Sequence, residues 1–371
     1  MRTSPGAKGW SDGRSAQTGP QREAATMLHC GADVHSKSTH LVILDSRGKE
    51  LLSAKVATDK KSLQDAVKPY VKRKLKVVQE TGALQAFIRA VFEEVGAEVV
   101  TVHAAAMKVI TSSKKKTDKR DAFHLAWQSS KDNLPEPVYV PSGYELGLRA
   151  LVGAQQRARK GRTQVINGVR GQLKSLGITL PPGCLARESG WVSLAGMDLP
   201  ETLRLIVDLG YKIWLAHTEV LDRIERELED RTREDPLVAL MQTVPYVGPA
   251  CAVAVRAYLG KLDRFHGRKA VASYAGFCPS QRESGERRGL GRLTKAGPPR
   301  LRTVFVQAAH LLIASGFKRY PQWRAWFGRF IYRKMHPHKA VVALAKRLYL
   351  LAYQVGRTGM PWRSQCAGNQ A

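Results

Sequence analysis

The chain has 371 residues, 43% of them hydrophobic, with 60 Lys and Arg against 31 Asp and Glu, a net charge of +29. A basic excess spread along the whole chain calls for a polyanionic partner, and nucleic acid comes first. No run approaches the roughly 18 apolar residues of a spanning helix, and no basic segment is backed by a long apolar face, which argues against a membrane role. The five cysteines are odd in number, far apart and free of Cys-x-x-Cys spacing, so neither a disulfide framework nor a zinc site is expected and a reduced, cytoplasmic setting fits.

Residues 1–26 are rich in Gly, Ser, Pro and Arg and carry no apolar core, so they read as a disordered extension and not as a secretory signal; Met27 is an alternative start. From Leu28 the pattern is strand-like: His29 to Val34, His40 to Leu44 and Glu50 to Val56, with Asp45-Ser46-Arg47-Gly48 as a hairpin turn. A helix near Lys61 to Val71, a strand at Leu75 to Val78, a helix at Leu84 to Val95, a strand at Glu98 to Val102 and a helix from Asp118 to Ser129 follow. Three antiparallel strands and then alternating helices and strands describe a mixed α/β sheet, the order of the ribonuclease-H-like fold. Asp33 falls in the first strand, Glu80 after the fourth, and Asp118 and Asp121 at the start of a helix, where such sheets build their sites. Asp118 and Asp121, three residues apart, share one helix face on which a hard divalent cation can sit. Lys114, Lys115, Lys116, Lys119 and Arg120 surround them and would draw in phosphate.

The middle of the chain repeats apolar residues at spacings close to 3.5. Leu148, Leu151, Val152, Val165, Val169, Leu173 and Leu176 form one series; Leu203, Ile206, Ile213, Val220, Ile224 and Leu228 form another. Pro181-Pro182-Gly183 separates them, so an antiparallel helical pair or coiled coil is expected. The first helix is basic and the second acidic around Glu225 to Asp230.

Beyond Pro236, Val244 to Ala250 resembles the turn of a helix-hairpin-helix, with Gly248 placed to offer backbone amides to phosphate. The stretch from Cys278 to Gly297 is glycine-punctuated and basic, and reads as a mobile loop over a helical base. In it Ser284 lies close to Arg282, Arg287, Arg288, Arg292 and Lys295, a nucleophile among groups that stabilise charge on phosphoryl oxygens, or equally a serine that only hydrogen-bonds a gripped phosphate.

Taken in order, Asp33, Glu80-Thr81-Gly82, Lys116-Thr117-Asp118 through Asp121-Ala122, Val247-Gly248, Tyr274-Ala275-Gly276, Glu283-Ser284-Gly285 and Thr294-Lys295-Ala296-Gly297 resemble the DEDD transposases of insertion sequences, the bridge-RNA-guided recombinases. The resemblance covers roughly Leu28 to Gly359 and implies a fold of class α/β plus α. Its parts are a RuvC-like domain at 27–140, a helical coiled-coil linker at 141–235 and a mostly helical C-terminal transposase domain at 236–360, ahead of a disordered tail at 361–371. It implies that Asp33, Glu80, Asp118 and Asp121 hold Mg²⁺ or Mn²⁺ and that Ser284 bonds covalently to DNA. It also implies donor and target DNA and a noncoding guide RNA as partners, association with the nucleoid, and a homo-oligomer, a dimer assembling to a tetramer, whose subunits share composite sites. Tyr246 departs from the pattern, standing where relatives commonly carry glycine. Two other readings fit the residues: a metal-dependent nuclease of the Holliday-junction type, and a nucleic-acid-binding protein without catalysis.

Overall fold

The computed structural model describes residues 27–110, 117–284 and 287–362, with the backbone alone at 108–110, 281–284 and 287–290. The expectations for residues 1–26, for Lys114, Lys115 and Lys116, and for the tail beyond 362 lie outside the described residues. The chain divides into two units, Met1–Val140 and Pro141–Ala371.

The first unit is built on a five-stranded mixed sheet. Its strands are β1 (Leu28–Val34), β2 (Ser38–Leu44), β3 (Glu50–Ala57), β4 (Leu75–Glu80) and β5 (Glu98–Val102), in the spatial order β3-β2-β1-β4-β5. β1 pairs antiparallel with β2 and β2 with β3, whereas β1–β4 and β4–β5 are parallel. The expected hairpin turn forms because the Asp45 carboxylate accepts the backbone N–H groups of Arg47 and Lys49, each at 2.9 Å, with Gly48 at φ 89°. Four helices follow the strands: α1 (Lys60–Val67), α2 (Gln85–Glu94), α3 (Ala104–Ile110) and α4 (Asp118–Ser130). α1 stops four residues before the expected Val71, and α3 was not expected at all, since its run Ala104-Ala105-Ala106 carries little apolar periodicity.

Alternation along the strands sorts side chains to two faces. Leu28, Cys30, Ala32, Leu41, Ile43, Leu75, Val77 and Val99 form one cluster with Leu63 and Val67 of α1 and Ile88, Val91 and Phe92 of α2. The other face carries Val42 and Leu44 against Ala122 and Ala126 of α4, and Val78 and Val102 against Met107 and Leu125. On this second face β1 contributes His29, Gly31 and Asp33. A Cβ added at Gly31 would lie 1.9 Å from the carbonyl oxygen of Ala122, so the helix backbone rests directly on the strand. His29 Nδ1 shares a hydrogen bond of 2.8 Å with Ser129 Oγ and pins the far end of the same helix.

The second unit begins with α5 (Gly143–Ser175), started by a capping box in which Ser142 and Glu145 satisfy each other's backbone N–H groups. α6 (Glu188–Ala195) and α7 (Glu201–Thr232) follow. α5 and α7 pack antiparallel: a Cβ at Gly161 would meet His217, one at Gly210 would meet Val169, and Arg159 bonds Glu225 at 2.6 Å. The expected helical pair is present, with the unexpected α6 between its members, where Trp191 is buried against Trp214. A buried ionic cluster fixes the next turn of chain. Arg256 donates to Glu145 at 3.0 Å and to Asp235 at 2.9 Å, and Asp235 also caps α8 (Pro236–Met241).

The remaining elements are α9 (Pro249–Leu259), α10 (Arg268–Tyr274), β6 (Pro279–Ser284), β7 (Arg287–Leu293), α11 (Pro299–Leu311), α12 (Pro321–Tyr332) and α13 (Pro337–Thr358). Their core holds Phe305, Leu344, Leu348 and Tyr349, all fully buried. Trp362, expected in the disordered tail, packs edge-on to Tyr320, and its backbone N–H donates to Thr243 Oγ1 at 3.0 Å. Among the described residues no helix is long and apolar enough to cross a membrane.

Candidate functional site

The site is assembled by strand ends and one helix start. Asp33 is the last residue but one of β1, Glu80 is the last residue of β4, and parallel pairing runs up to Ala32 opposite Gln79. One step further along that register sets Asp33 beside Glu80 on the face that α4 covers. Thr117 caps α4, its Oγ1 accepting the Arg120 N–H at 3.4 Å, so Asp118 and Asp121 occupy the first turn, where the helix dipole favours negative charge. The Gly31 contact sets this helix start over the end of β1.

Asp33 Oδ2 lies 3.2 Å from His35 Nε2, and the same nitrogen is 3.6 Å from Asp118 Oδ1. The ligand atoms of Asp33, His35 and Asp118 all fall within 4.8 Å of one another. Lys55 Nζ approaches the other Asp118 oxygen to 3.6 Å. Burial pushes the Asp33 carboxyl above its usual range; His35 opposes the shift, and the charges of Asp118 and Asp121 add to it. The carboxylates of Asp33 and Asp118 and the imidazole of His35 form a donor set suited to a divalent cation, whereas the Lys55 ammonium only balances charge. The excess negative charge around half-buried Asp33 is the observation that fits such an ion. Glu80 is exposed and outside the 4.8 Å group. Lys119 and Arg120 are exposed beside the site, with Lys119 Nζ 3.4 Å from Glu50.

Sequence reasoning overlooked His35. Its signal was its spacing: two residues past Asp33, it continues the same side of the strand direction at the strand's end. The buried cysteines take no part in this site, because burial pushes the thiols of Cys30 and Cys251 up to about 12.

The expected mobile loop at Cys278 to Gly297 is instead an antiparallel hairpin, with Ser284 paired to Arg287 and Pro279 to Leu293. The glycines and charges suggested a loop, yet Gly-Glu between two short runs is also a two-residue hairpin signal. The side chains of Ser284, Arg282, Arg287 and Arg288 lie outside the described residues. Arg292 and Lys295 are exposed. Two backbone crossings hold the base of the hairpin. A Cβ at Gly276 would sit 2.2 Å from the Ala296 oxygen, and one at Gly297 would sit 1.8 Å from the Tyr274 oxygen. Arg302 then donates to the Ala275 and Ala296 carbonyls at 2.8 and 3.2 Å.

Gly248 is the extended residue before α9, with Pro249 at the first helical position. Tyr246, at φ 64°, occupies the left-handed region that favours glycine. Its ring offsets that strain by packing edge-on to Tyr320, while its hydroxyl meets Ser315 Oγ at 3.0 Å.

Carboxylates clustered on a mixed sheet, followed in the chain by a helical unit with an arginine-rich hairpin, suit a protein that handles phosphodiesters. Comparison with known proteins narrows it: a DEDD family described as transposase matches residues 30–178, and the transposase IS116/IS110/IS902 family matches residues 238–326. Residues 30–178 and 238–326 of the chain are thus similar to insertion-sequence transposases. The chain is 26% identical over 242 residues to the transposase for insertion sequence element IS1111A of Coxiella burnetii, covering 62% of this chain and 64% of the relative. It is 25% identical over 252 residues to the pilin gene-inverting protein of Moraxella bovis, covering 67% and 68%, and 23% identical over 198 residues to the transposase for IS1328 of Yersinia enterocolitica, covering 53% and 59%. The chain thus spans just under two thirds of the length of the Coxiella relative.

Proposed function

We propose that this protein is a DNA transposase that exchanges strands through a covalent phosphoserine intermediate. The observation that carries the reading is the convergence of Asp33 and Asp118 on His35, in a chain matched along both halves by transposase families. Asp33, Asp118 and His35 would hold a divalent cation, Mg²⁺ or Mn²⁺, with Asp121 and Glu80 completing a RuvC-like, ribonuclease-H-like centre. When bound, such an ion polarises a phosphate oxygen or lowers the pKa of a hydroxyl. Ser284 attacks phosphorus, the phosphoserine bond forms as a DNA 3′- or 5′-hydroxyl leaves, and a second DNA hydroxyl later displaces the serine, so the bond energy is conserved. Arg282, Arg287, Arg288, Arg292 and Lys295 neutralise the charge on the nonbridging oxygens, and Lys114, Lys115, Lys116, Lys119, Arg120 and Gly248 hold the backbone.

We assign 27–140 to the metal-binding domain, 141–235 to a coiled-coil linker and 236–360 to the serine domain. The chain works as an oligomer whose subunits share sites. α7 supports this, because Leu205, Leu209, Ile213 and Val220 leave a stripe of its surface exposed at 57, 49, 49 and 48%. Guidance by a noncoding RNA is part of the same proposal, and the +29 charge accommodates a second polyanion. The test is a denaturation-resistant protein–DNA adduct together with joined donor and target ends. Ser284→Ala should lose both, while retaining DNA binding. An adduct as abundant as in wild type removes Ser284 from the reaction, and free ends without joining favour hydrolysis by a nuclease.

A further inference from the structure

Outside both half-sites, α12 and α13 enclose a cleft of about 1310 Å³ whose lining joins indole rings to cations. Trp323 is buried at its floor. The guanidinium of Arg347 lies 4.6 Å from the ring centre of Trp326 and 5.3 Å from that of Trp323. Trp362, Arg268, Arg329 and Lys346 also line it. No Asp or Glu lines the cleft, and among the described residues none of these four cations makes an ion pair with a carboxylate. Burial against the indoles, and then the charge of Arg329, lower the proton affinity of Arg347, the mark of a cation without a neutralising partner.

We propose that this cleft binds unpaired DNA, its bases stacking on Trp326 and Trp362 while Arg268, Arg329 and Lys346 take the phosphates. Stacking needs faces that a closed duplex hides, and cations interleaved with rings are what a single strand requires. Residues 363–371 contain no Asp or Glu and so lack the charge to fill the cleft themselves. The acidic stretch of α7 in a second copy has charge but few rings to offer. DNA is favoured over RNA because reading a ribose 2′-hydroxyl needs neutral donors and acceptors. In the lining only Gln322 and Gln354 offer both a neutral donor and a neutral acceptor, the indoles giving an N–H alone, and the Gln354 side-chain oxygen is engaged by Arg268.

The experiment uses the full-length chain with EDTA present, so the carboxylate site plays no part in the outcome. Indole emission and fluorescence anisotropy are followed with a 12-nucleotide oligo-dT, the matching oligo-rU and a 12-base-pair duplex. Oligo-dT should quench emission. Trp326→Ala should weaken its binding about tenfold, within the range of one lost base–ring stack, whereas Trp326→Phe keeps most of it. Arg329→Glu combined with Lys346→Glu should flatten the salt dependence while leaving the circular dichroism melt in place. Unquenched emission with oligo-dT overturns the proposal, as does equal oligo-dT binding by wild type and a folded Trp326→Ala. Tighter binding of oligo-rU than oligo-dT overturns the choice of DNA, and oligo-dT binding that appears only once the acidic residues of α7 are neutralised would identify the cleft as a contact between chains.

Discussion

The two faces of the five-stranded sheet are built from the same strands and do opposite work. Residues of β1 that point toward α1 and α2, Leu28, Cys30 and Ala32, are all essentially inaccessible and purely apolar. Those that point toward α4, His29, Gly31 and Asp33, are a hydrogen-bonding ring, an absent side chain and a carboxylate, and each positions or forms the site. A single strand therefore carries a core and the candidate site in alternate residues, and the parity of a position decides what a substitution does.

That division can be broken most forcefully by a crossed pair of substitutions. Asp33→Asn on the site face should lower strand joining by about 10²–10³-fold, the scale for removing one group that organises transition-state charge. It should not destabilise the metal-free protein. The folded-state pKa of Asp33 is raised, so its stabilising share is complete below the unfolded value and is lost as pH rises through the folded one; at neutral pH the ionised carboxylate is a burden that the amide removes. Leu41→Ala on the opposite face should cost about 2–5 kcal/mol of stability and reduce joining only through the unfolded fraction. Urea denaturation beside a joining assay separates the two, and a clear loss of stability in Asp33→Asn would erase the distinction.

Gly31 is where the faces communicate, since its lack of a side chain sets the height of α4. Gly31→Ala forces the Ala122 carbonyl away from a Cβ that would stand 1.9 Å from it. The expected cost is about 1–3 kcal/mol, with joining reduced further than stability accounts for, because Asp118 and Asp121 move with the helix. Equal stability and activity would mean that the helix tolerates the shift. His35 sharpens the chemistry of the site. With the third donor of the cluster removed, His35→Ala should weaken Mn²⁺ binding about tenfold, read as a smaller rise in melting temperature on adding the ion.

Much of this was legible in the sequence because the signals were local. Strands β1, β2, β3 and β5 follow from alternation and turn residues, and the four carboxylates stood out as strand ends and a helix start. His35 was not legible, since a lone histidine after a strand acquires meaning only when Asp118, distant in sequence, is folded against it. The hairpin at Ser284 was read as a loop because composition outweighed the Gly-Glu signal between its two runs. The role of Gly31 depended on the path of α4, which no local pattern encodes. Tyr246 was visible as a departure from the family pattern, but its compensation by Tyr320 and Ser315 is a tertiary effect.

The smallest effect tests whether α4 is held at both ends. Burial, and then the charge of Lys76, lower the pKa of His29 below its usual 6.5. The neutral ring is therefore the form that suits the fold, and its hydrogen bond to Ser129 secures the end of α4 away from the carboxylates. The sign follows directly: the contribution is complete above about pH 6.5, where the unfolded chain has also lost the proton, and it falls away as pH drops through the folded-state value. Replacing the ring with an untitratable one, His29→Phe, removes this dependence at the expense of the Ser129 bond. The difference in urea midpoint between wild type and His29→Phe should accordingly narrow from pH 7.5 to pH 5.5. A difference that stays constant over that interval would show that His29 takes up its proton without loosening α4, leaving Gly31 as the feature that sets the helix over Asp33.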